Sequence, residues 1–336
     1  MLATPRFWYL PRPTLPALLL RPLGWLYGLG VWFHRRATRP VWLPAAVVAV
    51  GNLTLGGSGK TPVVIGLAAA LQHQGWRVAV LLRGYGAGAR LPRRVVPADG
   101  ASQVGDEALE IQAALPGVAV WVGRDRIASG RAAIAAGAEL LLLDDGLQHW
   151  RLGHDVGLSV LDRHHGLGNG LLFPAGPLRE RQGRLGHADL LVLTGAVPAA
   201  AAAPQPPPAW PPAKPWIVLS SWIEAPAHLL GKPLLAFCGI GLPEKFFAAL
   251  DQAGLQLMAT AGFPDHHPYA PRELEGLQRR ADAVGATLVT TVKDWQRLPD
   301  PWQQRVQALP LALDARALGD IAAAVERRLP GNDGRF

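Results

Sequence analysis

The stretch from residue 47 to 65 reads Val-Val-Ala-Val-Gly-Asn-Leu-Thr-Leu-Gly-Gly-Ser-Gly-Lys-Thr-Pro-Val-Val-Ile, and it limits what the chain can fold into more than any other. A β-branched run over 47–50 ends in a glycine-rich turn closing on Gly59-Lys60-Thr61, and an apolar helical pattern follows over 63–71. Strand, glycine loop and helix in that order are the setting of a phosphate-binding loop. Gly56, Gly57, Ser58 and Gly59 let the backbone curl so that several N–H groups face one anion, and the helix N-terminus adds its partial positive charge. Lys60 is expected on the β/γ-phosphates and the Thr61 hydroxyl on Mg²⁺. Pro62 suits a first helical turn, where its missing N–H costs nothing. Thr54 stands where such loops usually carry a glycine, and Gly56 and Gly57 are expected to do that work.

Length and composition set the frame. A chain of 336 residues, 49% hydrophobic and 17% charged, fits one large or two ordinary domains with a sizeable core. The single cysteine, Cys238, excludes an internal disulfide framework, points to a reducing compartment, and reads as a core thiol. The net charge of +8 is unevenly spread: residues 1–98 hold twelve Lys/Arg and no Asp or Glu, and the first acid is Asp99. The remainder carries 21 bases against 25 acids, a balance of −4. The N-terminal part is therefore expected to meet something anionic: nucleotide phosphates, a membrane surface or nucleic acid.

Residues 1–40 mix Leu, Trp, Tyr and Phe with Arg6, Arg12, Arg21, Arg35, Arg36 and Arg39. The longest uncharged run after Arg21, 22–33, is shorter than the roughly 20 residues a bilayer span needs. Prolines at 11, 13, 16 and 22 argue against the apolar core of a cleaved signal. Aromatic and Arg side chains together favour a segment lying in a membrane interface. The alternative is a helix packed on the protein's own core.

Beyond the loop, apolar strands are expected over 77–82, 118–122, 140–143, 156–161 and 189–193, with helices from Gly105 through Leu115 and over 127–138. Such alternation indicates a mostly parallel, doubly wound sheet across 47–193. Ligands bind outside the C-terminal ends of such strands, where the sequence places Arg83-Gly84-Tyr85-Gly86, Gly123-Arg124-Asp125-Arg126, Asp144-Asp145-Gly146-Leu147-Gln148-His149 and Asp162-Arg163. Four apolar residues followed by Asp form the companion acid of a phosphate loop, and neighbouring buried carboxylates repel unless a cation sits between them. Asp106 and Glu107 at a helix start either favour the helix dipole or serve as a base, and spacing alone favours the dipole. A loop-rich stretch carries Asn169, Arg179 and Glu180, with Arg179 suited to a phosphate and Glu180 to a metal. Residues 195–215, rich in Ala and Pro, read as an exposed linker. Strands over 216–220, 234–238 and 287–292 and a helix over 244–253 begin a second, smaller α/β unit. In Phe263-Pro264-Asp265-His266-His267 the ring and carboxylate groups suit a general base; no further His/Cys pair supports zinc.

Together these motifs resemble one family over nearly the whole chain, the tetraacyldisaccharide 4′-kinases of lipid A biosynthesis. The resemblance rests on Gly51-Asn52 with Gly56 to Pro62, Arg83 to Gly86, Gly105 to Glu107, Asp144 to His149, Leu161 to Arg163, Gly168 to Gly170, Pro174 to Glu180, Gly239 to Gly241, Phe263 to His267 and Thr291 to Asp294. Val292 departs from it, because glutamate is common there. The family also lacks the glycine replaced by Thr54.

The resemblance implies ATP and Mg²⁺ as cofactors and transfer of the γ-phosphate to the 4′-hydroxyl of tetraacyldisaccharide 1-phosphate, a lipid substrate. It implies Asp106 as the base for that hydroxyl, aided by His266, which overturns the dipole reading. Lys60 joins them as a catalytic residue. Nucleotide contacts fall to Gly56, Gly57, Ser58, Gly59, Lys60, Thr61 and Gln148. Arg83, Tyr85, Arg124, Asn169 and Arg179 are expected on phosphate or substrate, and Thr61, Asp144, Asp145 and Glu180 on the metal. The expected organisation is an interface segment (1–40), a phosphate-loop ATP domain (41–220) and a smaller C-terminal α/β lid (221–336). The expected setting is a monomer held peripherally at the cytoplasmic face of a bacterial inner membrane, without nucleic acid. Two rival readings are a phosphate-loop switch or metal chaperone with no lipid substrate, and a basic nucleic-acid-binding protein. The latter lacks any basic–aromatic stripe or recognised module.

Overall fold

The structure is a computed structural model that describes residues 5–10, 12–56, 59–84, 92–195, 204–265 and 267–330. The expectations for Gly57, Ser58, Tyr85 and His266 fall outside the described residues. The chain divides into two compact units, one of Pro5–Ser220 with the chain from Asp314 onward, the other of Ser221–Leu313.

The larger unit is built on an eight-stranded sheet. Its strands are β1 (Ala46–Gly51), β2 (Val78–Leu82), β3 (Arg93–Arg94), β4 (Ala119–Val122), β5 (Leu140–Asp144), β6 (Val156–Asp162), β7 (Leu190–Thr194) and β8 (Trp216–Leu219). They lie in the order β3-β4-β2-β5-β1-β6-β7-β8, all parallel except the short β3. Every residue of β1, β2, β5, β6 and β7 is buried, as expected for strands covered on both faces. Each Val or Leu so buried contributes about 1.5–3 kcal/mol. The chain leaves β1 towards β2 on one side, and β6 towards β7 on the other. The C-terminal ends of these central strands therefore form the switch-point crevice in which such sheets bind ligands.

The helices of this unit are α1 (Leu15–Ala37), α2 (Lys60–His73), α3 (Ala101–Val104), α4 (Asp106–Ala114) and α5 (Arg126–Ala135). In α1 the 23-residue helix runs on through Pro22. The Pro/Ala-rich linker expected over 195–215 is tied down at its described end: Trp210 is buried in the cluster of Leu185, Leu191 and Leu193, and its Nε1 donates to the Lys214 carbonyl.

The smaller unit holds a parallel sheet in the order β11-β10-β12-β13, formed by β10 (Pro233–Cys238), β11 (Gln256–Gly262), β12 (Thr287–Thr291) and β13 (Gln307–Leu309). A two-stranded ribbon pairs β9 (Ser221–Ile223) with β14 (Leu311–Leu313). Helices α6 (Pro243–Gln252), α7 (Pro271–Asp282), α8 (Val292–Trp295) and α9 (Asp300–Gln303) complete it. The last helix, α10 (Ala315–Glu326), differs from the expected boundary at 221–336: it returns to the larger unit and packs on α2 and β8. Ile321, Ala322 and Val325 are buried along its inner face, and Trp76 Nε1 donates to Glu326 Oε1 at 3.2 Å.

Candidate active site

Gly59, with φ of 77°, caps α2 in the left-handed region open to glycine and delivers Lys60 as the first helical residue. The Lys60 ammonium donates to Asn52 Oδ1 at 2.9 Å and lies 3.6 Å from Asp145. Asn52, fully buried, is the hub of this corner. Its amide nitrogen donates to the Thr54 carbonyl at 2.7 Å, and its own carbonyl accepts from Gln148 Nε2 at 3.2 Å.

The structure explains Thr54. The arm before the glycines is extended and pairs with the segment around Leu178 through a Thr54–Leu178 bridge. Leu55 N donates to Pro177 O at 2.7 Å and Arg179 N to Leu53 O at 2.8 Å. Extended backbone needs no glycine, and buried Thr54 packs where a glycine would leave a gap. The same pairing places Arg179, whose Nη1 donates to both Asp145 oxygens at 2.8 and 2.7 Å.

The two acids at the end of β5 have different surroundings. Asp145 sits at φ 54°, a conformation Asp tolerates better than most residues. Burial alone would raise its carboxyl, but Lys60 and Arg179 outweigh that and hold it down at about 2. Asp144 is pushed up to about 7 by burial, reinforced by Glu107 across from it. Among the described residues its Oδ1 is buried without a hydrogen-bond partner. A buried carboxyl oxygen in that position fits a cation ligand, whereas both Asp145 oxygens are engaged by Arg179. Among the described residues no group of three or more His, Cys, Asp or Glu forms a metal cage.

Several expected residues have other employment. Glu180 is buried, accepts from Gln148 Nε2 at 3.3 Å and pairs with Arg184 at 3.4 Å, so its oxygens brace the loop. Gln148 Nε2 spans Glu180 and Asn52, while among the described residues its Oε1 is buried without a partner. Asn169 staples its own loop: its amide nitrogen donates to Ala175 O and Phe7 O, and its oxygen accepts from Leu171 N at 3.1 Å. Arg83 and Arg124 are exposed at their strand ends. Asp106 and Glu107 open α4, half-buried.

Besides Arg179, the arginine of the β4–α5 turn that faces these acids is Arg126, which sequence reading passed over in favour of Arg124. Its guanidinium, 4% exposed, donates to the Asp144 and Asp145 carbonyls at 2.6 and 2.9 Å. The choice between the two is made by Asp125, which caps α5 by accepting from Ile127 N and Ala128 N and so turns Arg126 inward. That cap was the legible signal.

In the smaller unit, the motifs Gly239 to Gly241, Phe263 to His267 and Thr291 to Asp294 meet at the C-terminal end of the sheet. A Cβ on Gly239 would lie 3.0 Å from Pro264 O and 3.2 Å from both Asp294 Oδ1 and His267 Cβ. His267 stacks on Phe263 and pairs with Glu273 at 2.9 Å, while Lys293 lies 3.5 Å from Asp265. Asp294, fully buried, accepts from Tyr269 Oη at 2.9 Å and Thr291 Oγ1 at 2.7 Å and pairs with Arg297 at 3.2 Å. Cys238 is buried and its thiol is pushed up by burial and by Asp294, as a core thiol rather than a nucleophile.

A parallel sheet with Gly-Lys-Thr at its switch point, and a buried acid on the neighbouring strand, defines a phosphate-loop phosphotransferase. The family model described as tetraacyldisaccharide-1-P 4′-kinase (LpxK) matches residues 16–329. The chain belongs to the tetraacyldisaccharide 4′-kinase family. It is 46% identical over 338 residues to the tetraacyldisaccharide 4′-kinase of Methylobacterium sp. (strain 4-46), covering 97% of this chain and 99% of that one. It is 44% identical over 317 residues to that of Gluconacetobacter diazotrophicus, covering 92% and 93%. The crystal structure of the "apo" form of LpxK from Aquifex aeolicus in complex with ATP is similar with a TM-score of 0.73 and 27% identity, over 94% of this chain and 99% of that one.

Proposed function

We propose that this chain transfers the γ-phosphate of ATP to the 4′-hydroxyl of tetraacyldisaccharide 1-phosphate. The observation that carries the reading is Lys60: it stands at the start of α2 within reach of Asn52 and Asp145, and its charge acts on the buried Asp144 carboxyl. Phosphoryl transfer asks mainly for positioning and charge neutralisation. Lys60 and the α2 N-terminus supply positive charge for the β- and γ-phosphates. Arg179 fixes Asp145, and Arg126 fixes the two carbonyls from which both acids project. Asp144 and Thr61 would hold Mg²⁺, which when bound neutralises phosphate charge. Asp106, at the start of α4, is assigned the acceptor hydroxyl proton. A switch or metal chaperone gives no reason for a family match that takes in most of α1.

The N-terminal segment supports a peripheral place on the inner membrane's cytoplasmic face. Along α1, Leu19 (71%), Leu26 (65%), Trp25 (59%) and Phe33 (58%) are exposed. Arg21 lies over the Trp25 ring and Arg36 over the Trp32 ring, an amphipathic surface suited to lipid headgroups and acyl chains. No helix among the described residues is long and apolar enough to cross a membrane.

The test is transfer of labelled γ-phosphate from ATP to tetraacyldisaccharide 1-phosphate in detergent micelles. Labelled lipid is expected from the wild-type chain, with at least a hundredfold loss in Lys60→Ala. ATP consumption without labelled lipid would overturn the reading in favour of a switch-type NTPase.

A further inference from the structure

The turn Arg6–Tyr9, ahead of α1, lies against the phosphate site rather than apart from it. Trp8 is buried, with Nε1 donating to Pro174 O at 3.1 Å, while its carbonyl accepts from Asn169 N at 2.7 Å. Tyr9 comes next. Its ring meets His165 edge-on with centroids 4.6 Å apart, and His165 Nδ1 is bonded to Asp162, the last residue of β6, at 2.8 Å. The Tyr9 hydroxyl donates to the Leu55 carbonyl at 3.2 Å.

That bond has a geometric consequence. In a trans peptide the carbonyl of one residue and the N–H of the next point in opposite directions within one plane. Holding Leu55 O towards Tyr9 therefore aims the Gly56 N–H away from it, and the other side of this arm is already fixed by the pairing of Leu53 and Leu55 with 177–179. Gly56 itself has φ of 103°, so without such a restraint its peptide is free to rotate. A Cβ at Gly56 would also lie 3.1 Å from the Tyr9 hydroxyl, so the two residues are fitted to each other. A loop that binds anions through backbone N–H groups depends on each peptide keeping its direction.

We propose that Tyr9 is a positioning residue for phosphoryl transfer. Its hydroxyl orients the peptide between Leu55 and Gly56, and the turn that carries it makes the N-terminal segment part of the nucleotide site. On this proposal Tyr9 acts through the loop backbone. The inference rests on the nucleotide reading of that loop given above.

The experiment compares the full-length wild-type chain with Tyr9→Phe, which keeps the ring on His165 and removes the hydroxyl. ATP binding with Mg²⁺ is measured by calorimetry without acceptor, and KM for ATP and for tetraacyldisaccharide 1-phosphate is measured in micelles. Loss of the hydrogen bond to Leu55 O predicts ATP binding weaker by roughly three- to tenfold. The KM for ATP is expected to rise in step, with the lipid KM unchanged and the melting temperature within about 2 °C of wild type. Tyr9→Ala, which also loses the ring, is expected to bind ATP more weakly still. A Phe variant that binds ATP as tightly as wild type overturns the inference, as does an equal rise in both KM values with a lowered melting temperature. A wild-type chain that binds no ATP would overturn the nucleotide reading along with it.

Discussion

At the scale of single residues, the site is governed by which charged group faces inward, and composition does not decide that. Arg124 and Arg126 are indistinguishable by type, and a cap one residue away selects Arg126. Asn169 and Glu180 are equally plausible ligands on paper, yet Asn169 bonds its own loop's backbone and Glu180 meets Gln148 and Arg184. Lys60 and Asp144 were legible because a glycine loop and an apolar run leave little choice of where they emerge. Arg126 also sets the behaviour of His149, whose ring burial first, and the guanidinium second, press down to about 4. An unfolded His titrates near 6.5. Between those values the unfolded chain binds a proton that the folded chain refuses. The stabilisation from a neutral His149 is therefore complete above about pH 6.5 and is lost as pH falls towards 4. Urea unfolding at pH 7 and pH 5 should show wild type losing more stability than His149→Gln, by of order 1 kcal/mol after discounting the ring's partial exposure. The opposite slope expected from Asp144, whose folded carboxyl lies high, is common to both proteins and drops out of the comparison. Equal losses would show that His149 is not the group responsible.

At the scale of elements, the strands of the larger sheet were legible because they are buried on both faces and read as continuous apolar runs. β11 was not: it lies at the edge of the smaller sheet with every residue partly or fully exposed, and Gln-Leu-Met-Ala-Thr-Ala-Gly has no apolar run longer than three residues. The return of α10 to the larger unit was equally hidden, since an amphipathic helix does not name the surface it will cover. The turn that follows β12 shows an element held by a single acid. Asp294 is both the acceptor for Tyr269, Thr291 and Arg297 and, through its backbone N–H, the group capped by Thr291. Burial of the Tyr269 ring first, and the Asp294 carboxylate it bonds second, push the Tyr269 hydroxyl upward, so that phenol stays a donor. Val292, at the position where the sequence departs from the resemblance, is the first residue of α8. Asp294→Ala leaves an Arg and two hydroxyls without their buried acceptor, and removal of one member of a buried ion pair costs about 3–5 kcal/mol. The expected result is an earlier unfolding transition for the smaller unit in a calorimetric scan of the full chain, with ATP binding by the larger unit retained. A loss below about 1 kcal/mol would mean that the knot is ornamental.

At the scale of the whole molecule, α1 serves two surfaces at once. Its inner side carries Ala17, Gly24 and Gly28, and Leu172 fits against the two glycines so closely that a Cβ would lie 3.1 Å from Leu172 O at Gly24 and 2.6 Å from Leu172 Cδ1 at Gly28. Tyr27 meets Phe173 edge-on at 5.6 Å, which ties the helix to the loop that ends in Arg179 and Glu180. Its outer side presents leucines and tryptophans among arginines, and the absence of acids before Asp99 leaves that side free of charges that an anionic surface would repel. Substitutions on the two sides should then fail differently. Leu19→Ser with Leu26→Ser changes only exposed positions, so ATP binding should be unaltered. Each leucine withdrawn from an acyl environment forfeits up to about 1.5–3 kcal/mol. Sedimentation with vesicles containing anionic lipid, and phosphate transfer to acceptor held in those vesicles, should each fall at least tenfold, while transfer in micelles falls less because detergent brings the acceptor to the protein. Gly28→Leu should do the reverse: it leaves the outer face intact and pushes the helix off Leu172, so ATP binding weakens while vesicle binding persists. If both substitutions impaired ATP binding and vesicle binding alike, α1 would be a stability element with no division of labour, and its exposed apolar face would need another explanation.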